Sequence, residues 1–120
     1  MATKKTVRAL ILDVKKNEVR DEVIEKDFDN YYKIIGTDMV ELPKYRVGGR
    51  VFEFVCDEEG LLKADPITSG FGKNGNGMLV GNLIITGPNS RNLTDETIAH
   101  LRKYVVNTTA GWRLTGIEYC

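Results

Sequence analysis

Apolar positions along the chain fall into short blocks whose period changes from two to about 3.6 and back, a pattern that predicts strands interrupted by two helices. Thr6 to Val14 is short, apolar and rich in β-branched residues, as a central strand should be. Lys16-Asn17-Glu18 turns it into a more polar partner over Glu18 to Ile24, giving a first hairpin. Phe28, Tyr31, Tyr32 and Ile35 then recur at i, i+3, i+4 and i+7, with Asp27 or Asp29 available as N-cap and Gly36 as the left-handed stop. This stripe reads as a core face, the alternative being a platform for a ligand. Thr37 to Leu42 reads as a returning strand that ends at Pro43, which has no N–H for a ladder.

Gly48-Gly49 separates Lys44–Val47 from Arg50–Asp57 and suits a two-residue hairpin turn, because both positions can take positive φ. In the second arm Phe52, Phe54 and Cys56 share one side with Arg50, while Val51, Glu53, Val55 and Asp57 fall on the other. Asp57 to Gly60 is a turn, and an irregular stretch from Leu61 to Pro66 leads into a glycine-rich run over Gly70 to Gly81, read as a loop. Met78 to Thr86 is almost continuously apolar and predicts one interior strand. Asn82 is the exception within it. A buried amide has to be hydrogen-bonded, so Asn82 either ties the sheet to a neighbouring loop or faces a ligand. After a polar loop at 87–92, Thr94 caps a helix from Asp95 to about Tyr104 that buries Ile98, Leu101 and Val105, with Tyr104 beside them. Asn107 to Cys120 carries the one tryptophan and either packs back as a strand or docks on another subunit through Trp112. The expectation is one domain over residues 1–120 with an α+β fold, an antiparallel sheet built from hairpins with two helices packed on it.

Composition narrows the functional classes. Seventeen basic residues balance seventeen acidic ones, which argues against a binder of long nucleic acid, whose phosphate backbone demands a clustered positive excess. A small anion needs only two or three aimed donors, and near-zero net charge leaves self-association open. Cys56 and Cys120 form no zinc-type spacing and no disulfide framework, and Cys56 in a strand-like run reads as a buried thiol, in keeping with a reducing cytoplasm. The apolar run from Ala9 to Val14 is interrupted by Asp13 and followed by Lys15-Lys16, so the chain reads as having no signal peptide and no membrane span.

Candidate chemistry is sparse. There is no Gly-x-Ser-x-Gly elbow, and the one histidine, His100, reads as a surface or boundary residue of the second helix rather than a catalyst. The Asp57-Glu58-Glu59 cluster reads as a solvated turn rather than a cation site. The glycine run lacks the Lys-Ser/Thr ending of a phosphate loop, and Gly70-x-Gly72-x-x-Gly75 neither follows a strand nor opens a helix. What it does offer is Phe71, a flat apolar face, and Lys73, a cation. The sequence predicts a protein that is not an enzyme and carries no cofactor and no metal.

The order and spacing of four blocks, Val7-Arg-Ala-Leu-Ile-Leu-Asp13, Val55-Cys-Asp-Glu-Glu-Gly-Leu-Leu62, Met78-Leu-Val-Gly-Asn-Leu-Ile-Ile85 and Leu93-Thr-Asp-Glu-Thr-Ile98, resembles small phage-borne domains. Among these the chain is similar to the Thoeris anti-defence proteins of the first type, over about residues 6 to 105. The resemblance implies a protein that sequesters, without cleaving, a cyclic ADP-ribose isomer made by bacterial TIR-domain immune enzymes, in the host cytoplasm and as a homo-oligomer built on dimers. It further implies an aromatic residue stacked on adenine, matched by Phe71, an amide matched by Asn82, and an arginine matched by Arg102. Arg50, Lys73, Asn92 and Arg113 are added as polar donors on the loops and tail expected to surround such a pocket, with simple solvation the rival reading for Arg50. The competing function is a protein-binding inhibitor that blocks a host defence enzyme with the glycine run as its contact loop.

Overall fold

A computed structural model describes residues 5–60 and 66–120, so most of the irregular stretch expected before the glycine run lies outside the described residues. The first hairpin forms as its pattern predicts: β1 (Thr6–Asp13) pairs antiparallel with β2 (Glu18–Glu25) along its whole length, with Asn17 at φ 55 in the turn. Helix α1 (Phe28–Ile35) begins at Asp27, whose carboxylate accepts from the N–H of Asn30, and ends at Gly36 with φ 83. Of its stripe, Tyr31 and Ile35 are buried and Tyr32 is half-buried, whereas Phe28 is 53% exposed. Phe28 sits in the first turn, where the helix has just left the sheet, and packs mainly on Tyr31 and Tyr32.

β3 is only Val40–Glu41, shorter than the expected strand over 37–42, because a turn from Thr37 occupies the residues before it. β4 (Lys44–Val47) and β5 (Arg50–Asp57) form the expected hairpin, with φ 58 at Gly48 and 80 at Gly49. The glycine-rich run is an ordered hairpin rather than a loop: β6 (Thr68–Gly72) turns through 73–76 into β7 (Gly77–Val80). Gly70 serves packing, whereas Gly75 serves the turn with φ 87 and open space around it. A Cβ on Gly70 would lie 2.7 Å from Ile117 Cδ1 and 3.1 Å from Leu79 Cβ. The apolar run from Met78 is two strands, not one: Gly81 at φ 79 breaks it, and β8 (Leu83–Thr86) leaves β7 for a different place in the sheet. Helix α2 (Asp95–Arg102) carries a capping box between Thr94 and Thr97 and stops short of Tyr104 and Val105, the latter already in β9 (Val105–Thr108). The tail packs back as β10 (Gly111–Tyr119).

The strands form one mixed, mostly antiparallel sheet in the order β2-β1-β8-β5-β4-β10-β6-β7, with β3 beside β5 and β9 beside β10, so the fold is α+β. Its departure from a purely antiparallel plan is β10, which runs parallel to β6 and antiparallel to β4 and β9. A break in register at Gly116, φ 72, bends β10 between these partners.

Both faces of the central strands are covered. Leu10, Leu12, Phe52, Phe54, Leu83 and Ile85 join Ile98 and Leu101 of α2 and Leu114 and Ile117 of β10 in one core. Val7, Ala9, Ile11, Val55 and Ile84 point the other way and meet Tyr31 and Ile35 of α1. The period of two in β1, β5 and β8 therefore separates two apolar layers instead of an inside from an outside.

Candidate functional site

The turn between β1 and β2 divides two hollows, one on each face of the first hairpin. On the α2 side, Val19, Arg102, Val105 and Trp112 line a hollow of about 350 Å³. The backbone N–H of Trp112 donates to Asn17 Oδ1 at 2.8 Å, which ties the start of β10 to the β1–β2 turn. Arg113 behind it is buried and donates to the carbonyls of Trp112 and Ala110, at 2.7 and 3.1 Å, which fixes the β9–β10 turn. The exposed Arg102 guanidinium makes no close ion pair among the described residues, although it helps Arg8 to hold the Asp21 carboxyl down. An aromatic face, two valines and an exposed planar cation are the elements that hold a heterocycle and an attached phosphate.

On the α1 side, Asp13, Lys15, Lys16, Arg20, Lys33, Ile34, Gly36 and Asn82 enclose a cleft of about 310 Å³. Asn82 is 5% exposed; its Oδ1 accepts from the N–H of Val14 and its Nδ2 donates to the carbonyl of Ile34, both at 2.9 Å. Of the two readings left open for Asn82, the tie between sheet and neighbouring segment is therefore the one these bonds make. Arg20 fans over Asp13, Glu18 and Glu22 at 3.2, 2.9 and 3.3 Å. Burial pushes the Asp13 carboxyl up, but the N–H of Lys16 and the guanidinium of Arg20 outweigh it and hold the group below its ordinary value.

That shift carries a testable sign. A carboxyl depressed in the folded state contributes stability that is complete above its unfolded value, about 3.9, and is lost as pH falls through the folded value. Asp21, depressed by Arg8, acts in the same direction. Urea midpoints are therefore expected to fall between about pH 7 and about pH 3, and Arg20→Gln is expected to shrink that fall while lowering the neutral-pH midpoint.

The remaining predicted residues are dispersed. Phe71 is half-buried on β6, and Lys73 at the tip lies 3.7 Å from Glu118. Phe71 pairs with Gly77 in the outer β6–β7 hairpin, whereas Asn82 follows the break at Gly81 and leads into β8 between β1 and β5. Arg50 pairs with Glu96 at 2.6 Å, and Asn92 Oδ1 accepts from the N–H of Arg8 at 2.8 Å. Phe71, Asn82 and Arg102 thus occupy three places on one copy of the chain. Trp112 and the lysines of the α1 cleft were not predicted as site residues. The combination of Trp112 with Arg113 at the start of the tail was the available signal for the first, and Lys15-Lys16 after a strand for the second.

His100 is half-buried, with Nε2 2.7 Å from the carbonyl of Val47 and its ring stacked near Phe52, which gives it a structural place at the foot of α2. Cys56 is buried, and its thiol is pushed up to about 12 by that burial and by Glu41, so it is held as a neutral thiol. Among the described residues no helix is long and apolar enough to cross a membrane, and no group of His, Cys, Asp and Glu is arranged to hold a metal ion.

Comparison with known families finds a domain of unknown function, DUF3846, matching residues 7–106. The match ends before β10, although that strand holds β4 and β6 together. No curated protein and no solved structure matched the chain.

Proposed function

We propose that this chain, which belongs to the DUF3846 family, binds and sequesters a cyclic ADP-ribose isomer made by bacterial TIR-domain immune proteins, without cleaving it. The observation that carries the reading is the hollow in which the exposed Arg102 lies beside Trp112, Val19 and Val105. Trp112 offers a stacking face for adenine, worth about 1–3 kcal/mol per base. Arg102 offers a planar pair of donors to a phosphate, worth roughly 1.5–3 kcal/mol. In a homo-oligomer built on dimers, the exposed tip of the β6–β7 hairpin of a neighbouring copy brings Lys73, with the half-buried Phe71 on the strand below it, to close the ligand in.

Protein purified from cells producing the signal is expected to release an intact adenine nucleotide on heat denaturation, identified by its mass. A chemically altered nucleotide would replace sequestration by catalysis. Calorimetric titration of Arg102→Gln with the same nucleotide is expected to show about 10- to 100-fold weaker binding, the equivalent of losing one charge-assisted contact. Unchanged affinity would remove Arg102 from the site.

The exposed, ordered tip at 73–76 favours a second reading, in which the hairpin contacts a host defence enzyme directly. Phe71→Ala would then abolish capture of that enzyme, while the wild-type chain would show no nucleotide binding at all.

A further inference from the structure

We infer that the α1-side cleft is a separate site for a small phosphate-bearing anion, held by Lys15, Lys16 and Lys33 around the amide of Asn82. Five ionisable groups line it, four cationic against the one carboxylate of Asp13. Arg20 faces Asp13, Glu18 and Glu22, so with the three lysines four positive charges stand against three negative ones. Lys16 acts on Asp13 from a distance, and none of the three ammonium groups makes a close ion pair among the described residues, which leaves a modest positive excess.

The crowding is built by the fold rather than by a charge run. Lys15 and Lys16 come from the turn after β1, and Lys33 comes from the last turn of α1. The Lys15 ammonium lies over the end of the helix, 3.1 Å from where a Cβ on Gly36 would stand, so the glycine that stops the helix also leaves room for the cation. Lys33 alone would be explained by attraction to the helix's carboxyl end. That end does not account for three lysines from two elements converging on one cleft, in which Asp13 is the one carboxylate of the lining.

Asn82 supplies a directed donor. Its Nδ2 carries two hydrogens, and one of them is committed to Ile34. The other belongs to a side chain 5% exposed that lines the same cleft. An amide on a held side chain, flanked by exposed ammonium groups, suits phosphate oxygens, which take one directional bond and several charge contacts. A volume of about 310 Å³ accommodates a pyrophosphate.

Isothermal titration of the full chain with sodium pyrophosphate at physiological ionic strength tests the assignment. Saturable binding is expected, weakened at least about tenfold in the Lys15→Gln/Lys33→Gln double variant. A double variant with the same charge change elsewhere, Lys44→Gln/Lys103→Gln, is expected to bind as the wild type does. The inference is overturned by absence of saturable binding or by equal weakening in the two double variants. It is likewise overturned if a single-stranded oligonucleotide binds more tightly and depends on the same lysines. All four residues are solvent-exposed except at their stems, so melting temperatures are expected to stay within a few degrees of wild type.

Discussion

Asn82→Ala is expected to cost about 2–5 kcal/mol of folding stability in urea denaturation, with or without any ligand present. The substitution removes two bonds at once, leaving the N–H of Val14 and the carbonyl of Ile34 without partners in a buried place. Each such orphaned group costs about 1–3 kcal/mol, more than the net worth of the bond when made. These bonds join the end of β1 to the last turn of α1 through a residue between β7 and β8, so three segments loosen together. A loss below about 1 kcal/mol would mean that the amide is not a structural tie and would return Asn82 to the role of a ligand donor.

Gly48→Ala is expected to cost about 2–4 kcal/mol, and Gly49→Ala only about 1 kcal/mol, although the two residues share one turn. Both have positive φ, so both substitutions carry backbone strain. They differ in what the new methyl meets. At Gly49 there is nothing within 4 Å, whereas at Gly48 it would lie 2.4 Å from the hydroxyl of Tyr104 and 2.5 Å from its ring. The ring is held between two glycines, since its other edge lies against Gly116, where an added Cβ would fall 2.7 Å from it. His100 also packs on it, with ring centroids 5.5 Å apart. Thermal or urea denaturation of both single variants, and of Gly48→Ala in a Tyr104→Ala background, isolates the clash. Equal losses for Gly48→Ala in the two backgrounds would rule the ring out as its cause.

What was legible in the sequence was what is local. Asp27 and Gly36 delimit α1, Thr94 opens α2, and Gly48-Gly49 turns β4 into β5, each through backbone geometry set within a few residues. The apolar run from Met78 was misread for a physical reason: Gly81 redirects the chain while the residues on either side remain buried, and burial is all that hydropathy records. The glycine-rich run reads as a loop from its composition, whereas Gly70 lies where Ile117 and Leu79 leave no space for a side chain, a fact that depends on β10 far along the chain. The site suffered in the same way. Arg102 meets Trp112 only because β9 and β10 fold back across α2, and Lys15 meets Lys33 only because α1 returns over the first hairpin. Asn82 stood out as polar in an apolar run, but composition does not say which bonds a buried amide makes.

The place of β10 in the sheet sets synthesis and assembly at odds. It is the last described strand to be translated, yet β4 and the β6–β7 hairpin meet only through it. Until residues 111–119 have emerged, the sheet is two fragments with unpaired edges at β4 and β6, which are sites for pairing with other chains. Leu114 and Ile117 also reach the core last, so a ribosome stalled before them holds a chain whose apolar faces lack their lid. Truncation before Gly111 is therefore a route to aggregation during translation, even though the matched family span ends before that strand begins.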